Sequence, residues 1–294
     1  MDLVTAIITT CKREPAIVER AIKSIINQTY SNMQYVLVDD SPEDYEFRDD
    51  VKKIAQKYQY TGLEYIQHER CMGACAARNT GLKAAKGKYI AFLDDDDEWR
   101  PNKIDVQIKA FTNDSIALVY CGSITHNDDD GHEHERPLVY KYGMVYDELI
   151  LGNFVGSTSF PLLRTDYLRE IGGFDILMQS AQDYDVWLRL AKQYEFNYVK
   201  ETLVVYHIHS SDQISKSSLR RINGLERILE KNMEYLNTHP RARWKRFMLM
   251  VPEYSGNNDK KKAICVWFKA MIICPSNLKE NLMYLYSILR MEKK

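Results

Sequence analysis

Over the first 121 residues, short apolar runs rich in β-branched residues alternate with stretches that carry a helical stripe. Residues 3–10 (LVTAIITT) begin the series, and residues 34–39 (QYVLVD), 63–67, 88–93 (KYIAFL) and 115–121 continue it. Between them, Pro15 sits at a helix start and is followed by a stripe of Val18, Ile22, Ile25 and Ile26. Residues 47–58 read as a polar-faced helix, 73–85 as an Ala-rich helix, and Pro101 opens another to residue 111. A continuous apolar run suits a strand buried on both faces. Strands alternating with helices of this length predict βαβ units, hence an α/β fold on a mostly parallel sheet.

The pattern changes after Cys121. Asn127-Asp128-Asp129-Asp130-Gly131-His132 is turn chemistry between two extended stretches and predicts a hairpin. Residues 156–163 predict a strand, 182–194 an amphipathic helix with Val186, Trp187 and Leu190 on one side, and 203–206 a last strand. Beyond about residue 217 the chain reads as helices, over 219–236, 243–251, 260–273 and 278–291. The expected organisation is a domain over 1–215 and a helical extension over 216–294.

Charge supports that border. The 294 residues sum to a net charge of −1, which removes any whole-chain case for nucleic-acid binding. The balance is made of two unlike parts: residues 1–215 carry 23 Lys+Arg and 34 Asp+Glu, residues 216–294 carry 17 and 7. The N-terminus has no basic segment followed by a long apolar one, and the longest apolar stretch, 264–274, is interrupted by Lys269. The six cysteines are scattered with no CxxC pair, so neither a disulfide framework nor a zinc site is indicated. A cytoplasmic protein is expected.

Chemistry is expected at the strand ends, because ligands of open α/β sheets bind outside the carboxyl ends of the strands. Asp39 and Asp40 end the second run, and Asp94, Asp95, Asp96 and Asp97 end the fourth, with Glu98 next. Four successive carboxylates repel one another and are costly to desolvate. A hard divalent cation with oxygen ligands, Mg2+ or Mn2+, offsets that cost. Between these sites, Cys71-Met72-Gly73-Ala74-Cys75-Ala76-Ala77-Arg78-Asn79-Thr80-Gly81 brings a helix start and an Arg, which together favour an anion such as a diphosphate. Arg78 could equally be a structural ion-pair partner. His132, Glu133, His134 and Glu135 suit an exposed hairpin better than a metal cluster.

These residues carry a family resemblance. Thr9-Thr10-Cys11-Lys12-Arg13 resembles the opening strand-end motif of family 2 glycosyltransferases. Ser24-Ile25-Ile26-Asn27-Gln28-Thr29-Tyr30, Val38-Asp39-Asp40-Ser41 and Gly73 to Gly81 resemble the family's next segments in order. Phe92-Leu93-Asp94-Asp95-Asp96-Asp97 resembles its DxD metal motif. Glu170-Ile171-Gly172-Gly173-Phe174-Asp175 and Gln182-Asp183-Tyr184-Asp185-Val186-Trp187 resemble its G-G-F-D and E-D-x-D-x-W segments. The resemblance covers roughly residues 1–215.

It implies a GT-A fold, a Rossmann-like sheet with helices on both faces. It further implies a nucleotide-sugar donor held by Thr10, Arg13, Asp39, Asp40, Arg78, Asp94 and Asp95, with Asp39 toward the base. Asp96 and His209, the latter in a Tyr206-His207-Ile208-His209-Ser210-Ser211 segment, would hold the metal, and Asp183 would be the catalytic base. Cys11, Gln182 and His207 depart from the family pattern, which favours Asn, Glu and Arg there.

The implied reaction is an inverting transfer from a nucleotide sugar, expected to be UDP-linked, to a saccharide or lipid-linked acceptor in cell-surface polysaccharide synthesis. Two alternatives remain in the sequence. A nucleotidyltransferase would bring a Gly-rich loop directly after the first strand, which residues 9–13 lack. A non-catalytic nucleotide- or carbohydrate-binding module could drop Asp183 or the metal pair, and both are present. In the C-terminal part, Arg220, Arg221, Arg241, Arg243, Lys245, Arg246 and Lys260–262 are interleaved with Trp244, Phe247, Trp267 and Phe268, which suits an anionic membrane face. A peripheral location on the membrane's inner face is therefore also expected.

Overall fold

The structure, a computed structural model, describes residues 1–208 and 218–290. The chain runs β1 (Val4–Thr10), α1 (Pro15–Ile26), β2 (Met33–Asp39), α2 (Arg48–Lys57), β3 (Glu64–Gln67), α3 (Ala74–Ala84) and β4 (Tyr89–Asp94). It continues through β5 (Glu98–Trp99), α4 (Lys103–Ile108), β6 (Ile116–Asn127), β7 (Glu133–Arg136), α5 (Tyr146–Leu149), β8 (Leu162–Arg164), α6 (Thr165–Glu170), α7 (Gln182–Ala191) and β9 (Glu195–Ile208). Five helices follow: α8 (Ser218–Lys231), α9 (Met233–Thr238), α10 (Pro240–Gly256), α11 (Lys260–Ile273) and α12 (Leu278–Arg290).

The nine strands form one sheet, ordered β3-β2-β1-β4-β8-β6-β9-β5, with β7 paired to β6. The β3-β2-β1-β4 half is parallel, as the buried apolar runs predict. Strand β8 enters antiparallel between β4 and β6, and β6 and β9 are parallel to each other. Side chains alternate across β1: Val4, Ala6 and Ile8 share a core with Val18, Ala21, Ile22 and Ile25 of α1 and with Val51 and Ala55 of α2. Ile7 points to the opposite face, against α3, where a Cβ added to Gly81 would lie 2.6 Å from Ile7 Cγ2. Helices thus cover both faces.

Several sequence expectations change: the strand expected over 115–121 runs on to Asn127, and the helix expected over 219–236 divides into α8 and α9. Residues 156–163 were expected as a strand, but only Leu162–Arg164 is extended. Gly156, at φ +101°, starts a turn, and the hydroxyls of the next three residues bond acidic side chains instead of a strand neighbour. The last strand runs over Glu195–Ile208 rather than 203–206, because its polar first half pairs with β6 where alternation is absent from the sequence.

The fold divides into two compact units. The first takes Met1–Leu149, Asn153–Ile176 and the chain from Val186 through β9. The second takes Ile150–Gly152, Leu177–Asp185 and the C-terminal helices. Within the second, α10 packs on α11 and α8. Trp244 donates to Asn281 Oδ1 at 2.8 Å, the Arg246 guanidinium lies 5.2 Å from the Tyr184 ring, and Lys231 pairs with buried Asp185 at 2.5 Å. Trp244 and Phe247, expected among the surface anchors, are buried at 4% and 7%, and Arg246 at 2%. Phe268 remains 52% exposed on α11. No helix among the described residues is long and apolar enough to cross a membrane.

Candidate active site

Register brings the site together at one edge. In the parallel pairs around β1, Thr10 lies opposite Asp39, and Thr9 opposite Asp94. The carboxyl ends of β2, β1 and β4 therefore stop side by side. Asp39 is fully buried: its Oδ1 accepts the Ser41 N–H at 2.9 Å and its Oδ2 the Tyr65 hydroxyl at 2.8 Å. Burial and that carboxylate raise the Tyr65 pKa, so the phenol stays a donor.

Asp40 anchors the turn before α3. Its Oδ1 accepts the Met72 N–H and pairs with His68 Nδ1, and its Oδ2 accepts the Gly73 N–H, each at 2.7 Å. Gly73 sits at φ +93°, a conformation that favours glycine. Beside this turn, Cys11 Sγ is 3.8 Å from Cys71 Sγ. Burial first and Cys71 second push the Cys11 thiol up to about 12.

The four-aspartate turn distributes its charges among different partners. Asp94 Oδ1 accepts Arg78 Nη2 at 2.7 Å and the Thr158 hydroxyl at 2.9 Å. Arg13 bridges the next two, with Nε 2.9 Å from Asp95 Oδ1 and Nη2 2.9 Å from Asp96 Oδ2. Burial pushes Asp95 up to about 6 against the pull of Arg13. Asp97 is fully buried, and its Oδ2 accepts the Ser159 hydroxyl at 2.5 Å. Burial, with Asp94 and Asp96 adding to it, holds the Asp97 carboxyl well above the usual carboxylate range. Ser159 also accepts the Asp94 N–H at 3.1 Å, so one hydroxyl spans the turn.

The model of Glycosyl transferase family 2 matches residues 5–172, more than half of the chain. The chain belongs to glycosyl transferase family 2. Among curated relatives, the Escherichia coli (strain K12) glycosyl transferase WcaA, named for colanic acid biosynthesis, is 29% identical over 226 residues, spanning 73% of this chain and 76% of its own. The Escherichia coli UDP-Glc:alpha-D-GlcNAc-diphosphoundecaprenol beta-1,3-glucosyltransferase WfgD is 27% identical over 192 residues, spanning 65% of this chain and 71% of its own.

Among solved structures, S. aureus TarS 1-349 in complex with UDP-GlcNAc aligns with TM-score 0.65 at 17% identity, over 86% of this chain and 72% of that one. A longer TarS chain aligns with TM-score 0.63, and this glycosyltransferase spans 43% of it. The likeness shows the fold, which is GT-A.

In this family 2 glycosyltransferase, Thr10, Arg13, Asp39, Asp40, Arg78, Asp94, Asp95 and Asp96 gather at the one sheet edge. Arg78 is buried and ion-paired with Asp94, the structural alternative left open by the sequence. Asp183 lies half-buried in the first turn of α7, within the second compact unit, after Ala181 at φ +53°. His209 lies outside the described residues.

Trp99 and Trp187 are core residues, 3% and 0% exposed. Trp99 donates to the Ser159 carbonyl at 2.9 Å and Trp187 to that of Gly156 at 3.1 Å. Sequence reasoning missed Ser157, Thr158, Ser159, His68 and Arg20, whose Nη2 donates to the Asp96 carbonyl at 2.7 Å. The signal for the first three was a hydroxyl run directly after a glycine.

The aspartate turn offers the donor type that a hard divalent cation takes. Its donors are all carboxylate oxygen, and Arg13 and Arg78 reach Asp94, Asp95 and Asp96 while Asp97 is left to neutral donors. Among the described residues, two groups, neither of them the aspartate turn, bring possible ligand atoms within 4.8 Å of one another: Cys11, Asp40 and Cys71, and His126, Asp128 and His207.

Proposed function

We propose that this glycosyltransferase moves a sugar from a UDP-linked donor to a saccharide or lipid-linked acceptor in cell-surface polysaccharide synthesis, inverting the anomeric centre. What carries the reading is the convergence of Thr10, Asp39 and Asp94–Asp96 with Arg13 and Arg78 at one sheet edge. The names of WfgD, with a UDP-Glc donor and a diphosphoundecaprenol acceptor, and of the TarS complex with UDP-GlcNAc support it. The catalytic domain is taken as 1–215 and the helical extension as 216–294.

In this proposal Asp39 reads the base, and Thr10, Asp40, Asp94 and Asp95 shape the nucleotide pocket. Asp96, with His209, would hold Mn2+ or Mg2+, which when bound would supply positive charge for the departing diphosphate. Arg13 and Arg78 add fixed positive charge on the same side. Asp183 takes the proton of the acceptor hydroxyl as that oxygen attacks the anomeric carbon. Its neighbour Asp185 is buried against Lys231, which leaves Asp183 as the half-buried carboxylate of that turn. Attack from the face opposite the leaving diphosphate inverts the centre.

The extension is proposed to rest on an anionic membrane. Lys261, Lys262 and Lys269 are exposed on α11 together with Ile264, Phe268 and Ile272 at 46%, 52% and 64%. Lysines bordering apolar side chains suit the headgroup boundary.

Thermal shift against a panel of nucleotide sugars with Mn2+, followed by product analysis, tests the donor and the stereochemistry. UDP-sugars are expected to raise the melting temperature only with metal, and Asp96→Ala to remove the effect. Absence of any metal-dependent UDP-sugar binding or turnover overturns the proposal, and release of pyrophosphate from a nucleoside triphosphate would mark a nucleotidyltransferase.

A further inference from the structure

Far along the sheet from β1, the parallel pair β6 and β9 sets two histidines opposite each other. His126 and His207 are register partners, with ring centroids 5.0 Å apart. The next turn brings a carboxylate to both: Asp128 Oδ1 is 2.6 Å from His207 Nδ1 and 3.7 Å from His126 Nε2. The backbone fixes this carboxylate, because the Asp128 N–H donates to the Ile208 carbonyl at 2.9 Å. The far nitrogen of each ring is held by a different carboxylate. His126 Nδ1 lies 3.0 Å from Glu133 Oε1, and His207 Nε2 lies 2.9 Å from Glu98 Oε1.

Carboxylates on the outer nitrogens are the arrangement that orients metal-ligating imidazoles. The Glu133 contact fixes the Nδ1–H tautomer of His126, which turns the Nε2 lone pair toward Asp128.

We propose that His126, Asp128 and His207 bind a zinc ion, with Glu98 and Glu133 orienting the two rings and water completing the coordination. Two imidazole nitrogens and one carboxylate oxygen match zinc's borderline preference and a four-coordinate site with one open position. The three ligand atoms already lie within 4.8 Å of one another, and tetrahedral zinc bonds of about 2.0–2.1 Å would set them about 3.4 Å apart, a rearrangement of about an ångström. The 2.6 Å contact between Asp128 and His207 opens as the ion enters. Binding breaks that hydrogen bond, releases the Nδ1 proton of His207 to solvent while its Nε2–H stays on Glu98, and replaces three of the ion's waters by two Zn–N bonds and one Zn–O bond. Access is available, because His126 and Asp128 keep 28% and 30% of their side chains exposed while His207 keeps 5%.

The ion would staple the β6–β7 hairpin to β9. Strand β9 reaches the aspartate turn through the His207 N–H, which donates to Asp97 Oδ1 at 3.3 Å. The inference does not depend on the donor-site reading.

The test is titration of the metal-stripped full chain with Zn2+ by calorimetry, and with Co2+ by visible absorption. One ion per chain and intense tetrahedral cobalt bands are expected for the wild type and for Asp96→Ala. His126→Gln and Asp128→Asn are expected to weaken zinc at least tenfold and to flatten the cobalt bands, with far-ultraviolet circular dichroism unchanged. His126 is half-exposed, so His126→Gln gives a folded variant even where His207→Gln does not. Wild-type zinc affinity retained in both variants, zinc lost in Asp96→Ala instead, or no zinc uptake by the wild type each overturns the site.

Discussion

Single side chains in the aspartate turn do separable jobs. Ser159 donates to Asp97 and accepts from the Asp94 backbone, and Ser159 and Asp97 are both fully buried. Ser159→Ala leaves a buried acceptor and a buried donor without partners, so it is expected to cost about 1–3 kcal/mol. A urea midpoint equal to that of the wild type would contradict this. Asp96 differs, because its carboxylate is 18% exposed and shares Arg13 with Asp95.

Asp96→Ala is expected to change stability by less than about 0.5 kcal/mol while removing metal-stimulated turnover. Asp183→Asn is expected to lower kcat by roughly 10²–10⁴ with donor affinity kept, the signature of a lost base. Turnover kept at the wild-type rate would refute that role. The acidic partners at this scale were legible, since carboxylates after a buried strand have few other reasons to cluster. Ser157, Thr158 and Ser159 were not, because a hydroxyl in a strand and one in a turn look alike without the partner that fixes them.

At the level of elements, α4 carries an unusual tenant. Lys103 is fully buried, its Nζ has no hydrogen-bond partner among the described residues, and it lies 4.2 Å from the Trp99 ring centroid. Burial lowers its pKa from the ordinary 10.5 to about 8. Below pH 8 the folded state holds a buried charge that the ring offsets only in part. Between about 8 and 10.5 the unfolded chain binds more protons than the folded one, so stability contributed by this group rises with pH in that window.

Lys103→Met is therefore expected to stabilise by roughly 1–3 kcal/mol at pH 7 and by much less near pH 10. Chemical denaturation at both pH values checks it, and an equal gain at both would be inconsistent with a buried charge. The parallel half of the sheet was readable because strands buried on both faces are continuously apolar. The first half of β9 was not, because Glu195–Thr202 carries polar residues and is held by pairing with β6 rather than by burial of its own pattern. Of the C-terminal helices, 260–273 and 278–291 were placed closely, while 219–236 divides into α8 and α9 and 243–251 lengthens to Pro240–Gly256; which aromatics face inward depends on α10 packing against α8 and α11, and sequence spacing does not encode that.

Across the whole molecule, two properties are open to direct measurement. A bound donor stabilises only the folded state, so UDP with Mn2+ at about 100 times its Kd is expected to add roughly 2.7 kcal/mol, seen as a higher Tm. Sedimentation with vesicles containing anionic lipid is expected to retain the full chain at low salt and release it as ionic strength rises. Replacing Lys261, Lys262 and Lys269 together by Gln should abolish that retention, and retention unchanged would refute the α11 face as the membrane contact.

The register that ends β2, β1 and β4 together also divides the chain's tolerance to change. Strand bodies hold the core: Ile7 lies against Gly81, and a Cβ at Gly87 would stand 2.7 Å from the Thr5 backbone nitrogen. Strand ends carry the proposed site in short turns whose backbone leaves the sheet at once. A saturation scan should therefore show two separable populations, substitutions that remove protein and substitutions that remove activity while protein persists. The boundary between them should fall within one or two residues of Thr10, Asp39 and Asp94. A sheet edge of this kind lets specificity drift under selection while the scaffold beneath it stays fixed.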